Sequence, residues 1–201
     1  MPQIYQGAQW PKIANRPPIV LPTPYGDALV QLATPNGVNM LVVTSLGAVP
    51  VPVVRFQSAC VFGEGLRATD CDCGVQLDAA LQLILRQGGV LTYAWEEGRG
   101  LGIALKLDAI ALQQELHIDT AEAFARLGQP AEPRSFANHV LALRTVFSGP
   151  EVRLASRNRA KIKALSEAGI AVIERIDLEI PRTPERDEYL ASKIAALGHL
   201  E

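Results

Sequence analysis

What this sequence has little of narrows it first. Three cysteines and three histidines are spread over 201 residues, and aromatic residues make up only 5%. Three cysteines cannot form a complete disulfide set, and residues 1–19 lack the basic start and apolar middle of a secretion signal. A disulfide-stapled extracellular scaffold is therefore not expected; a reducing, cytoplasmic setting is. No apolar run approaches the roughly 18 residues of a membrane-crossing helix. Neither sign of charge dominates: the net charge is −2 and the pI near 6, so neither a general nucleic-acid surface nor a membrane surface is expected. His117, His139 and His199 follow no HExxH or HxxxH spacing and read as surface or core residues. Ser-His-Asp catalysis has no GxSxG motif to support it.

All three cysteines fall in one stretch, Cys60 to Gly74, as Cys-x10-Cys-x-Cys. Cys60, Cys71 and Cys73 supply three soft ligands, enough for a zinc ion with one position open to water. An open position is the catalytic pattern, because the metal lowers the pKa of bound water to about 7. The competing reading is three buried or redox-active thiols.

Along the chain, Met1 to Pro24 carries six of the fourteen prolines (Pro2, Pro11, Pro17, Pro18, Pro22, Pro24) and reads as an extended arm. Ala28–Thr34 and Val38–Thr44 predict two strands, with Pro35-Asn36-Gly37 between them as the hairpin turn. Val51–Phe56 predicts a third strand leading into the cysteines. Helical spacing starts at Gln76 with Leu77, Leu81, Ile84 and Leu85 on one face, and Gly88-Gly89 ends it. Val90–Trp95 is a strand, and the glycine-rich turn Glu97-Gly98-Arg99-Gly100-Leu101-Gly102 joins it to a helix over Ile103 to Leu116. That turn suits either phosphate binding or a plain connection. A helix near Ser135 should bury Phe136, Val140, Leu143 and Phe147. The last unit is β-α-β: strand Val152–Ala155, helix Asn158–Ala168, strand Ile170–Ile176, a parallel pair. Ser156 to Lys161 at its turn is either a phosphate subsite or a solvated helix start.

Several stretches together resemble GTP cyclohydrolase II, the zinc enzyme that opens the imidazole ring of GTP. They are Leu21-Pro22-Thr23-Pro24-Tyr25-Gly26-Asp27, the cysteine cluster with Cys71-Asp72-Cys73-Gly74, Gln76-Leu77, Glu97-Gly98-Arg99, Ala111-Leu112-Gln113, Asp119-Thr120, Leu127-Gly128, Glu132 with Arg134, Glu167-Ala168-Gly169-Ile170 and Gly198-His199-Leu200. The chain is identified as a divergent member of that family. The resemblance, with the element pattern, implies a mixed α/β (α+β) fold: a single domain over 21–201 with a mixed sheet and flanking helices, after a proline-rich arm over 1–20. It also implies a homodimer, a nucleotide substrate, and Zn²⁺ on Cys60, Cys71 and Cys73, with Mg²⁺ accompanying a polyphosphate. Arg134 falls on the arginine assigned as nucleophile towards the α-phosphate, and Glu132 on the proposed proton acceptor. Arg55 would bind phosphate; Gln76 and Glu97 would recognise the base, beside Gly98 and Arg99; Thr120, Ser156 and Lys161 would complete the site.

The departures point to an altered substrate. The family's His and Glu ahead of the first zinc ligand are Gln57 and Ala59 here, and its arginine before Cys-Asp-Cys is Asp70. Its Arg-Gln before Glu-Gly-Arg is Trp95-Glu96, and its Thr-Asn-Asn-Pro is Ser156-Arg157-Asn158-Arg159. Asp108 and Ile110 replace an arginine and a catalytic tyrosine. A zinc cyclohydrolase acting on another nucleotide is therefore expected. The alternatives are authentic GTP cyclohydrolase II, ring opening of a pyrimidine nucleotide such as UMP, or a non-catalytic zinc- and nucleotide-binding protein.

Overall fold

β-branched runs punctuated by turn residues build one seven-stranded sheet in the computed structural model, which describes residues 17–130 and 132–181. The strands are β1 (Ile19–Thr23), β2 (Gly26–Ala33), β3 (Met40–Thr44), β4 (Val53–Ser58), β5 (Gly89–Ala94), β6 (Glu151–Leu154) and β7 (Ala171–Arg175). Their spatial order is β1-β2-β3-β5-β4-β6-β7. From β1 to β5 every neighbouring pair is antiparallel; β5, β4, β6 and β7 run parallel to one another. The sheet is thus mixed, as expected, with its two pairing modes segregated into halves.

The β2–β3 hairpin turns where the sequence places it. Asn36 and Gly37 take positive φ there (50° and 79°), which asparagine tolerates and glycine adopts freely. β1 begins at Ile19, inside the stretch expected to be an arm, and pairs with β2 along its whole length. The remainder of that arm, residues 1–16, lies outside the described residues, as does His199.

Parallel strands need crossovers, and two of these are single helices. Helix α1 (Cys73–Gln87) joins β4 to β5, and α5 (Arg159–Glu167) joins β6 to β7. Helix α1 starts three residues earlier than its apolar spacing indicates, so Cys73 is its first residue. Helix α2 (Ile103–Leu116) agrees with expectation, whereas α3 (Thr120–Arg126) was not foreseen. Helix α4 spans Ala137–Arg144, with Phe136 at its N-cap. Side-chain alternation divides the core between the two sheet faces. Val54, Phe56, Val90 and Leu154 meet α4 and α5, burying Phe136, Val140, Leu143 and Leu165. On the other face Val53 and Leu91 pack under Ala80 and Ile84 of α1. A smaller cluster of Ala109, Ala123 and Phe124 binds α2 to α3. Among the described residues no helix is long and apolar enough to cross a membrane.

Candidate active site

The C-terminal ends of all four parallel strands open onto one cavity of about 520 Å³, the position where ligands bind in open α/β sheets. The end of β4 brings Ser58 and Cys60, the turn after β5 brings Glu96, Gly98 and Arg99, and the ends of β6 and β7 bring Ser156 and Asp177. Helix α2 closes one side with Ile110 and Gln113.

Cys60, Cys71 and Cys73 come together, their sulfur atoms all within 4.8 Å of one another. Thiolates about 2.3 Å from a tetrahedral zinc lie roughly 3.8 Å apart, so the donor set fits that ion. Two glycines make the approach possible. A Cβ on Gly63 would sit 2.9 Å from Cys71 Sγ, and one on Gly74 would overlap the Gly63 carbonyl. Cys60 caps a π-helical turn over Val61–Gly65, where its sulfur accepts the Gly63 N–H at 3.5 Å. Hydrogen bonds with Cys71 and Cys73 hold the Cys60 thiol well below its ordinary range, and the contact with Cys60 pushes Cys71 up.

A cation that the sequence did not single out braces this cluster. Lys106 Nζ stands 3.2 Å from Cys60 Sγ, 2.8 Å from Glu97 Oε2 and 4.5 Å from the centre of the Phe62 ring. Burial pulls the ammonium down, but Glu97 and Cys60 outweigh it and hold Lys106 above its ordinary value. Glu97's other oxygen accepts the Val61 N–H. Glu97 therefore ties the glycine turn to the thiol loop, and it is absent from the cavity lining. Within that turn Gly98 and Arg99 both take left-handed φ (58° and 57°), and the Arg99 guanidinium lies 4.9 Å from the Phe124 ring centre.

Arg55 is buried and donates to Gln57 (3.1 Å), to the Ala155 carbonyl (2.9 Å) and to Gln76 (2.7 Å). Gln76 in turn donates to Asp72 at 2.5 Å, so Arg55 fixes Gln76 at the cavity wall. Gln57 extends the network to Glu64 (2.7 Å), which also accepts from Tyr93 Oη at 2.6 Å. Burial and Glu64 push the Tyr93 hydroxyl up, so it stays a donor.

Arg134, on the cavity wall, and Glu132, which is absent from the lining, form a two-pronged ion pair at 2.6 and 2.5 Å, and Arg134 also donates to Ser58 Oγ at 3.3 Å. Burial would raise Glu132, but Arg134 outweighs it and holds the carboxyl below its ordinary range. Asn158 donates to Glu132 at 3.3 Å. Lys161 is buried and donates to the Phe56 carbonyl at 2.7 Å, with Ser156 close by on the same turn. Thr120 donates to Gln113 across α2 and α3 at 2.9 Å. Arg55, Gln76, Gly98, Arg99, Thr120, Arg134, Ser156 and Lys161 thus all line the cavity with the three cysteines.

The altered positions divide. Asp70 and Ile110 line the cavity; Asp108 is exposed and does not. Arg157 lines it but is held by Asp177 at 2.9 and 3.0 Å, and Arg159 points to solvent. His139 is fully buried core, stacked on Phe56 with ring centres 5.0 Å apart.

A family model for GTP cyclohydrolase II matches residues 18–177. The chain is 42% identical to GTP cyclohydrolase-2 of Pectobacterium atrosepticum over 186 residues, covering 90% of this chain and 93% of that protein. GTP cyclohydrolase-2 of Cronobacter sakazakii is 40% identical, and that of Salmonella typhimurium 39%, each over 185 residues with the same coverage. With the thiol triad at the head of the cavity and the likeness running over nearly its whole length, this chain belongs to the GTP cyclohydrolase II family, hydrolases acting on cyclic C–N bonds.

Proposed function

We propose that the protein is a zinc-dependent cyclohydrolase that opens the ring of a nucleotide base, and that its preferred substrate is not GTP. The observation that carries the second half is how the cavity's cations are matched. Arg55 serves Gln57, Gln76 and a carbonyl; Arg99 faces an aromatic ring; Lys106 pairs with Glu97, Arg134 with Glu132, Arg157 with Asp177, and Lys161 with a carbonyl. A triphosphate calls for concentrated, uncommitted positive charge, and Asp70 adds a negative one. Ile110 also offers no hydroxyl to a polar substrate atom.

Cys60, Cys71 and Cys73 would hold the zinc, which would supply Lewis acidity at the head of the cavity. Glu132, kept ionised by Arg134, accepts a proton at its carboxylate and returns it to the ring nitrogen that leaves. Arg134 grips Glu132 with its planar fork in the free protein and turns that fork to a single phosphate when substrate enters, a contact a lysine could not match. Arg55 sets the orientation of Gln76 towards the base, and Gly98 and Arg99 shape the wall beside it. Thr120, Ser156 and Lys161 complete the nucleotide site. The catalytic domain begins with β1 at Ile19; the active form is a homodimer in the cytoplasm, with Mg²⁺ needed only for a polyphosphate.

Identity of 42% to a GTP cyclohydrolase-2 favours a second reading, authentic turnover of GTP. Mass-spectrometric product analysis with UMP, GMP and GTP separates the two. We expect zinc-dependent ring opening of a monophosphate and little turnover of GTP. A kcat/KM for GTP at or above about 10⁴ M⁻¹s⁻¹, the ordinary enzyme range, would establish the second reading instead.

A further inference from the structure

Two adjacent glutamates follow β5, and the fold separates their work. Glu97 is committed to Lys106 and the Val61 amide, away from the cavity. Glu96 lines the cavity: its Oε2 accepts from Ser58 Oγ at 2.8 Å and stands 3.5 Å from His139 Nε2, while Oε1 has no partner among the described residues. The other cavity carboxylates differ. Asp72 is buried and bonded to Gln76, Asp177 is held by Arg157, and Asp70 and Glu179 are exposed. Glu96 is the half-buried acceptor with an oxygen to spare.

Behind it His139 is completely buried, its Nδ1 2.7 Å from Thr92 Oγ1 and its Nε2 without a hydrogen-bond partner among the described residues. A buried polar atom left unpaired costs about 1–3 kcal/mol, so apolar packing alone would favour another side chain there. The charged atom it faces is Glu96 Oε2. We propose that Glu96 is the carboxylate through which this cavity accepts a hydrogen bond from a ring N–H of the base, with His139 as its positioning partner. The proposal rests on the nucleotide reading above.

The electrostatics of the pair agree with that geometry. Among the described residues, the charged and polar groups that act on the pair are Ser58 from β4, Thr92 from β5, Arg134 from the loop before α4, and Lys161 from α5. Burial pushes His139 down, Lys161 and Arg134 add to that, and Glu96 opposes them, so the imidazole is neutral at pH 7. Burial pushes Glu96 up, but His139, Ser58 and Arg134 outweigh it, so the carboxyl stays ionised to lower pH than an ordinary glutamate. An ionised carboxylate only accepts. It therefore favours bases that carry a ring N–H and disfavours those whose ring nitrogen is methylated or is itself an acceptor.

The test uses the zinc-loaded full chain and rapid-mixing tryptophan fluorescence, which records binding ahead of turnover. The probes are UMP with 3-methyl-UMP, and GTP with 1-methyl-GTP. Wild-type protein is expected to bind one unmethylated nucleotide at least tenfold more tightly than its methylated partner. Glu96→Ala, which removes the acceptor and leaves room for the methyl, should reduce that ratio below about threefold. Glu96→Gln keeps the volume and should weaken the unmethylated nucleotide by about tenfold while circular dichroism stays native. His139→Gln should keep the discrimination at pH 7.5 but lose binding at higher pH than wild type on acidification, because the Glu96 pKa rises once its partner is gone. A role in packing alone would lower affinity at every pH without moving that limb. An undiminished ratio in folded Glu96→Ala overturns the assignment of Glu96, and an unmoved limb overturns that of His139. If neither UMP nor GTP binds the wild type, the nucleotide reading itself falls and takes this one with it.

Discussion

The two halves of the sheet have been put to different uses. The antiparallel half, β1 to β3, contributes no residue to the cavity wall, whose lining begins at Arg55. The parallel half contributes the ends of all four of its strands. The reason is geometric. Antiparallel neighbours join by tight turns, so their ends alternate and little chain is left over. Parallel neighbours end on the same side, and their crossovers leave loops gathered there, free to carry chemistry. Stability and function should therefore separate along the boundary between β3 and β5.

The hardest blow to the site should come from Cys73→Ser. Zinc content by elemental analysis should fall well below one per chain and turnover should vanish; a variant that retains both would break the comparison at its strongest point. Arg134→Lys comes next. It keeps the charge and loses the fork, and kcat/KM should drop more than tenfold, or about 1.4 kcal/mol of transition-state stabilisation. In the antiparallel half, Met40 is fully buried, and Met40→Ala should cost about 2–5 kcal/mol in urea unfolding. Its kcat/KM at a temperature where it remains folded should stay within about twofold of wild type. A large kinetic defect there would show that the boundary leaks. The smallest effect belongs to Leu32, 58% exposed on β2: Leu32→Ala should shift stability by no more than about 0.5 kcal/mol and leave kinetics alone.

What the sequence revealed, and what it hid, follows from range. The β2–β3 hairpin was legible because Asn36 and Gly37 announce positive φ within a few residues. The thiol cluster was legible because its ligand type is its chemistry and its members lie close in sequence. The apolar face of α4 was legible too, with Phe136, Val140 and Leu143 all buried at helical spacing. The pairing of β3 with β5 was not, since it spans the whole β4–α1 unit. Helix α3 was missed because seven residues with three alanines show little periodicity; only its Asp119 cap, which accepts the Glu122 N–H at 2.8 Å, marks it. Lys106 drew no reading because a lone lysine within α2 carries no motif; only the fold sets it against Cys60. His139 was open to either a surface or a core reading, and its place opposite Glu96 depends on a contact across 43 residues of sequence, between His139 and Glu96 themselves. Arg55 and Glu97 were matched to ligand-binding positions, yet much of their hydrogen bonding serves neighbouring protein groups, which a linear reading cannot see.

The contact between Gly63 and Gly74 has a thermodynamic consequence. Because neither residue carries a side chain, the two segments that hold the cysteines touch through bare backbone, and the spacing of the thiols is inherited from the fold. Much of the entropy lost on gathering three ligands is thus surrendered during folding, before any ion arrives. A preorganised chelate of this kind gains affinity rather than structure from its metal. It is the opposite bargain from a small zinc finger, where binding and folding are one event. Chelation is accordingly expected to abolish turnover while leaving the far-ultraviolet circular dichroism spectrum nearly unchanged.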